Sequence, residues 1–266
     1  MGFDQRSFLS LLPTRRLGRT VLVRKVTSST NDDAWDALGA GLGDGVVVVA
    51  DRQEAGRGRN GRLWEHAEGC GLAMSIALHL GCDVRQAGLI PLGVGLALAQ
   101  AAARLGIESR LKWPNDVLVS GRKLAGVLCE VRRIPQGGDA VVIGVGVNVG
   151  HTLENFSPEL RVIATSFRLE GVETTPEAVA AAFLGAFEPL WPELQEGDRS
   201  AVLDAWSARA AFWGEPVTVR TPSGPVTGVA QRLDRDGGLV LRLEGGTERL
   251  VLAGDLELSP QMPEAR

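Results

Sequence analysis

Leu72 to Leu80 alternates without a break, with Leu72, Met74, Ile76, Leu78 and Leu80 on one face of an extended chain and Ala73, Ser75, Ala77 and His79 on the other. A period of two does not suit a helix, so the stretch predicts a strand and commits the chain to a sheet packed against a core. Further strand patterns run over Val21–Val26, Val46–Ala50, Leu111–Trp113, Asp116–Val119, Leu124–Val131 and Val141–Val149. Pro114, Ser120-Gly121 and Gln136-Gly137-Gly138 break the later ones. Helical patterns lie between and after them. One follows the capping oxygens of Ser28-Ser29-Thr30-Asn31, carries Ala34, Trp35 and Leu38, and ends at Gly39. A second, rich in small residues, covers Ala87–Leu105 and stops at Gly106. A third opens with Thr175 as cap and Pro176 at the first helical position, and aligns Val179, Phe183, Phe187 and Leu190; Ser200–Ala210 continues helically. The expected class is α+β, a mixed β-sheet with helices.

Near Gly214 the character changes to short strands punctuated by Pro222-Ser223-Gly224, Asp236-Gly237-Gly238 and Gly245-Gly246, the signature of a small β-barrel or sandwich. The expected division is therefore residues 1–213 and 214–266. No internal repeat or low-complexity tract appears. Of the 266 residues 44% are apolar, enough for a packed core, and a formal charge of −4 argues against a protein that coats nucleic acid. Cys70, Cys82 and Cys129 are odd in number and show no CxxC spacing, so neither a disulfide framework nor a zinc site is suggested. The first twenty residues lack a signal-peptide core and no uninterrupted apolar run reaches membrane-spanning length, so a soluble cytoplasmic chain is expected.

Two clusters carry the chemistry. Gly56-Arg57-Gly58-Arg59-Asn60-Gly61-Arg62 packs three arginines among three glycines directly after the Val46–Ala50 run, so guanidinium forks and bare backbone N–H groups can converge on phosphate or carboxylate oxygens. It is neither a Walker A loop nor a dinucleotide fingerprint, and a solvated surface turn is the bland alternative. The second cluster is Lys112-Trp113-Pro114-Asn115-Asp116 with Lys123-Leu124-Ala125-Gly126. Asn115 could read an adenine edge and Asp116 could hold Mg²⁺ through oxygen; taken alone, the same residues make a turn with a core tryptophan.

These residues, together with Ser29-Thr30-Asn31, Gln53-Glu54-Ala55 before the arginines, Leu63-Trp64 after them and Gly144-Val145-Gly146-Val147-Asn148, resemble the bacterial biotin protein ligases, in a short form without the N-terminal DNA-binding domain. The likeness spans roughly residues 25–150, and the β module from about 214 resembles the family's SH3-like domain. It implies a catalytic domain like that of class II aminoacyl-tRNA synthetases and biotin ligases. ATP would convert biotin to biotinyl-5'-AMP with release of pyrophosphate, and biotin would pass to a lysine of the biotin carboxyl carrier protein of acetyl-CoA carboxylase. It implies that Ser29, Thr30, Asn31, Gln53, Arg57, Gly58, Arg59, Lys123 and Gly126 contact biotin. Arg57, Arg59, Trp64, Lys112, Asn115 and Asn148 would face the nucleotide, Lys123, Arg59 and Asp116 would serve catalysis, and Asp116 would be the acid associated with Mg²⁺. A lipoate protein ligase, sharing fold and adenylate logic, and a non-catalytic biotin-binding regulator are the alternatives.

The chemistry has its own logic. When a carboxylate attacks the α-phosphate of ATP, two anions must meet in line, and Arg57, Arg59, Lys123 and Mg²⁺ would neutralise the repulsion. In the second step an acceptor lysine of ordinary pKa about 10.4 must lose a proton, and Asp116 is the candidate to assist. Protection of the mixed anhydride predicts closure of the arginine-glycine segment. Only about twenty residues precede the first strand, so a winged helix and its repressor function, and hence nucleic acid as a partner, are not expected. Where relatives often carry a serine and proline, this chain has Glu65-His66-Ala67 after Trp64. His66, His79 and His151 are not expected to be ligands. Val141–Val149 could lie at a sheet edge and pair two copies into a homodimer.

Overall fold

The computed structural model describes residues 2–65, 67–81, 84–134, 137–195 and 199–258. His66, Cys82 and Gln136 lie outside the described residues. Seven strands form the main sheet: β1 (Val21–Thr27), β2 (Val46–Gln53), β3 (Gly71–Leu80), β4 (Arg110–Lys112), β5 (Asp116–Val119), β6 (Arg122–Arg133) and β7 (Asp139–Asn148). Their order is β1-β2-β3-β7-β6-β5-β4, parallel between β1 and β2 and antiparallel elsewhere, so the sheet is mixed as its pattern predicts. One expectation fails. The Val141–Val149 run is not an edge: β7 pairs along its length with β3 on one side and β6 on the other, so its backbone groups are already satisfied and cannot recruit a second copy.

The alternation on β3 sorts the sheet into two unequal faces. Leu72, Met74, Ile76 and Leu78 join Val47, Val49, Ile143, Val145 and Val147 in the larger core, beneath α3 (Ile90–Arg104) and α4 (Pro176–Phe187). Ala87–Arg104 is long and apolar enough to cross a membrane, but Ile90, Leu92, Val94, Leu96 and Leu98 are buried in this core, which marks a core helix. Thr175 Oγ1 accepts from the Ala178 N–H, closing the cap predicted for α4. On the opposite face α2 (Thr30–Gly39) lays Ala34, Ala37 and Leu38 over Val46, Val48, Ala77, Ala140 and Val142. That cover stops short. Farther along, the same face carries Ser75, Ala73, Gly144, Gly146 and Gly126, and their small size leaves a hollow at the N-terminal end of α2.

An element the sequence pattern left unassigned, α1 (Gln5–Leu11), is capped by Asp4 and buries Phe8 beside α4. After α5 (Leu190–Gln195) and α6 (Ser200–Ser207), a second, antiparallel sheet follows in the order β11-β10-β9-β8-β12. Its strands are β8 (Pro216–Thr221), β9 (Gly224–Leu233), β10 (Leu239–Arg242), β11 (Glu248–Val251) and β12 (Asp255–Leu258), the small β module that the turn signals predict. It docks on the first unit partly through Trp113, whose buried indole donates to the Gly237 carbonyl at 3.0 Å.

Candidate active site

The floor of the hollow is set by register. Ser75 pairs with Gly144 and Gly144 with Leu128, while Ala73 pairs with Gly146 and Gly146 with Gly126, so small residues from three neighbouring strands lie side by side. A side chain would fill this floor. A Cβ on Gly144 would collide with Asn31 Oδ1, one on Gly146 would collide with the Trp64 indole, and one on Gly126 would meet Lys123 Cε at 2.9 Å.

Its polar end is built where α2 begins. Gln53, the last residue of β2, accepts from Thr30 N at 2.9 Å and from Thr30 Oγ1 at 3.1 Å. Ser75 Oγ lies 2.7 Å from Thr30 Oγ1 and 2.6 Å from Asn31 Oδ1. Ser29, Thr30, Asn31 and Ser75 are all buried, and such groups at the end of an apolar slot suit an orienting role for a ligand with amide-like donors and acceptors.

The arginine-glycine segment is a short hairpin rather than an irregular loop. Arg57 bridges to Leu63, Gly58 N donates to Arg62 O at 2.7 Å, and Arg62 N donates to Arg59 O at 3.1 Å across Asn60 and Gly61. Both turn residues have positive φ, 55° and 74°, a conformation that Asn tolerates and Gly adopts freely. Gly56 is needed for closeness, because a Cβ there would stand 2.7 Å from the Trp64 carbonyl. Arg57 points sideways: its guanidinium makes a bidentate pair with Asp32 at 2.7 Å and reaches Glu130 at 3.2 Å. These hydrogen bonds hold the Asp32 carboxyl below, and the Arg57 guanidinium above, their ordinary values. Burial disfavours the charge of Glu130, yet bonds from the Trp35 indole and Arg57 outweigh it and lower its pKa. Arg59 turns the other way. Its Nη1 lies 3.4 Å from Asn115 Oδ1, and Asn115 Nδ2 donates to Val127 O at 2.7 Å. Asn115 is in the cleft wall, its amide bonded to Arg59 on one side and to the Val127 carbonyl on the other.

Lys123 brings the cation. Its ammonium stands 2.5 Å from Asp116 Oδ1 and 5.5 Å from the centre of the Trp64 ring, which lies over the glycine floor. Lys112 takes the other Asp116 oxygen at 3.2 Å. Burial alone would raise the pKa of Asp116; the two ammonium groups more than offset it and hold the carboxyl below the usual range. A carboxylate so held is a poor proton acceptor, and both its oxygens are occupied. Among the described residues no group of three or more His, Cys, Asp or Glu side chains comes together around it, so any Mg²⁺ here would depend on substrate phosphates for most of its ligands. Asn148 also stands behind the cleft, its Nδ2 donating to Lys123 O at 3.3 Å.

The structure thus gathers Ser29, Thr30, Asn31, Gln53, Arg57, Gly58, Arg59, Trp64, Asn115, Lys123 and Gly126 around one cleft. Lys112, Asp116 and Asn148 form a supporting layer behind Lys123. His79 is paired with Asp44 on the surface, and His151 is buried against Phe156, away from the cleft lining. Ser75, Gly144 and Gly146 escaped the motif reading as individual site residues. Ser75 gave only the small-residue face of β3 as a signal, while Gly144 and Gly146 stood inside the Gly144–Asn148 motif without a role of their own.

Comparison with known proteins gives the same outline. Residues 23–148 match the biotin/lipoate A/B protein ligase family and residues 212–259 the biotin protein ligase C terminal domain. The chain is 36% identical over 263 residues to the biotin–[acetyl-CoA-carboxylase] ligase of Mycobacterium tuberculosis, covering 95% of this chain and 94% of that protein. It is 32% identical over 249 residues to the bifunctional ligase/repressor BirA of Bacillus spizizenii, covering 93% of this chain and 76% of the relative. Among solved structures, the biotin protein ligase of Aquifex aeolicus in complex with biotin and ATP superposes with a TM-score of 0.75 at 27% identity, over 90% of this chain and 98% of that one.

Proposed function

The chain belongs to the biotin/lipoate A/B protein ligase family, and on that premise we propose that it is an ATP-dependent biotin protein ligase acting on a biotin carboxyl carrier protein. The observation that carries this reading is the convergence on one cleft of a small-residue floor, a buried polar end, and two cations, Lys123 and Arg59. The rings of biotin fit the slot over Gly144, with the ureido group facing Thr30, Asn31, Gln53 and Ser75. The valeryl carboxylate then extends toward Lys123 and Arg59. ATP enters at the mouth beside Trp64, bringing its own Mg²⁺ as part of the substrate.

In the first step a carboxylate oxygen bonds to the α-phosphorus and the bond to pyrophosphate breaks. Lys123 and Arg59 hold the two anions together and balance the charge gathering on the phosphorus oxygens. Asp116 and Lys112 fix the Lys123 ammonium; Asp116 does not act as base. In the second step the free amine of the acceptor lysine attacks the acyl carbon, AMP leaves, and the proton passes to solvent. Arg57 serves mainly through its backbone, since Asp32 and Glu130 occupy its side chain. The free thiols of Cys70 and Cys129 accord with a reducing, cytoplasmic setting.

Mixing the protein with ATP and biotin tests the reading: pyrophosphate is released, and a carrier in host lysate becomes labelled on a lysine. Release with lipoate and none with biotin would overturn it, and binding of biotin with no release would leave a regulator.

A further inference from the structure

Asp255, at the start of β12 in the second module, has no place in the chemistry above, yet it is the meeting point of the arginine hairpin. Its side chain is only 16% exposed. Arg62 Nη2 and Asn60 Nδ2 both reach Oδ2 at 2.9 Å, and Arg59 Nη1 stands 3.9 Å from Oδ1. The strand end that presents it is tightly fixed: a Cβ on Gly254 would come within 2.6 Å of Val219 Cγ1 and 2.7 Å of Arg220 O, so the backbone before Asp255 lies hard against β8. A carboxylate on a rigid strand therefore grips the tip of a hairpin that belongs to the other module. Arg59, which lines both the cleft and the cavity between the modules, is held from two directions, by Asn115 and by Asp255.

We propose that Asp255 is a positioning residue for the anion-binding hairpin, supplied by the second module, which fixes Asn60 and Arg62 so that Arg59 stays aimed into the cleft and holds the acyl-adenylate. The identity of that anion rests on the ligase reading; the attachment of the hairpin does not. Asp255 touches no reacting atom in this account. Its effect is to make retention of the intermediate depend on the second module.

The test uses the full chain. Asp255→Ala and Asp255→Asn are expected to speed dissociation of biotinyl-adenylate about fivefold, the factor matching roughly 1 kcal/mol for a partly exposed ion pair, while leaving the biotin dissociation constant unchanged. Amide hydrogen exchange at Gly58 and Trp64, the hairpin N–H groups bonded to Arg62 and Gly56, is expected to quicken in the ligand-free variants, and Asp255→Glu to restore slow exchange in part. Exchange in β8 to β10 reports separately on the folding of the second module. On an Arg62→Ala background the Asp255→Ala effect is expected to shrink, because the shared contact is already gone. Unchanged exchange and unchanged adenylate release in both variants would overturn the proposal, as would effects fully additive with Arg62→Ala or accompanied by loosening of β8 to β10. Quickened hairpin exchange in a protein that makes no adenylate would sink the ligase reading and leave the Asp255 attachment standing.

Discussion

Replacing Lys123 by Met keeps the aliphatic stem and removes the charge, and the geometry sets what should follow. The side chain is one-third exposed and its ammonium stands 2.5 Å from Asp116. At an effective dielectric near 20, a unit charge about 4 Å from a developing phosphorus oxygen interacts by roughly 4 kcal/mol. Because Asp116 neutralises part of that charge, the loss should sit toward the lower end of the range for one oxyanion donor, about 2.7 to 4 kcal/mol, or a rate factor of roughly 10² to 10³. Single-turnover pyrophosphate release at saturating biotin and ATP is the assay. The same change strips Asp116 of its nearest counter-ion, leaving only Lys112, and the acid response of stability reports it. In the native protein the folded-state pKa of Asp116 is lowered, so its contribution is complete above the ordinary carboxylate pKa and is lost as pH falls through the lower folded value. In Lys123→Met the folded value rises, so that contribution shrinks and its loss begins at higher pH. An unimpaired first half-reaction would refute the role of Lys123, and an unshifted acid limb in thermal melts would refute its pairing with Asp116.

Arg59→Ala should accelerate loss of the adenylate more than it weakens biotin binding; equal adenylate off-rates in variant and wild type would contradict this. Gly144→Ala places a methyl group against Asn31 and should cost about 1–3 kcal/mol of folding stability, the usual penalty of overpacking, seen in denaturant melts, and raise the biotin dissociation constant measured by calorimetry; unchanged values of both would contradict the floor. Ser75→Ala leaves Thr30 and Asn31 with one partner fewer and should raise the biotin dissociation constant without altering adenylate release; an unchanged constant would remove Ser75 from the site. Desolvation pushes the Cys129 thiol up to about 12, so alkylation at neutral pH should be slow there, and rapid labelling traced to Cys129 by peptide mapping would contradict that environment.

The sequence by itself determined the period-two pattern of β3, the Thr175 cap of α4, the change of character before β8, and the residues that make up most of the cleft, whereas α2 starts at Ser29 without a bond from its hydroxyl. These are local signals: side-chain period, cap oxygens and turn glycines act over a few residues and need no partner to be read. Strand neighbours are a different matter. Val141–Val149 reads the same at an edge or in the middle of a sheet, and only its pairing with β3 and β6 placed it inside. The same registers turned scattered Ser75, Gly126, Gly144 and Gly146 into one floor. Asp116 is an acid in sequence, but what surrounds it is not legible there, and only the fold brings the ammonium groups of Lys112 and Lys123 onto its two oxygens. The arginines divided in the same way. Three alike in sequence take different directions because Asp32 and Glu130 draw the Arg57 guanidinium aside, Asp255 pairs with Arg62 from the second module, and Arg59 reaches Asn115 in the cleft wall. Charge is a property of the residue, whereas its direction is set by partners that chain distance conceals.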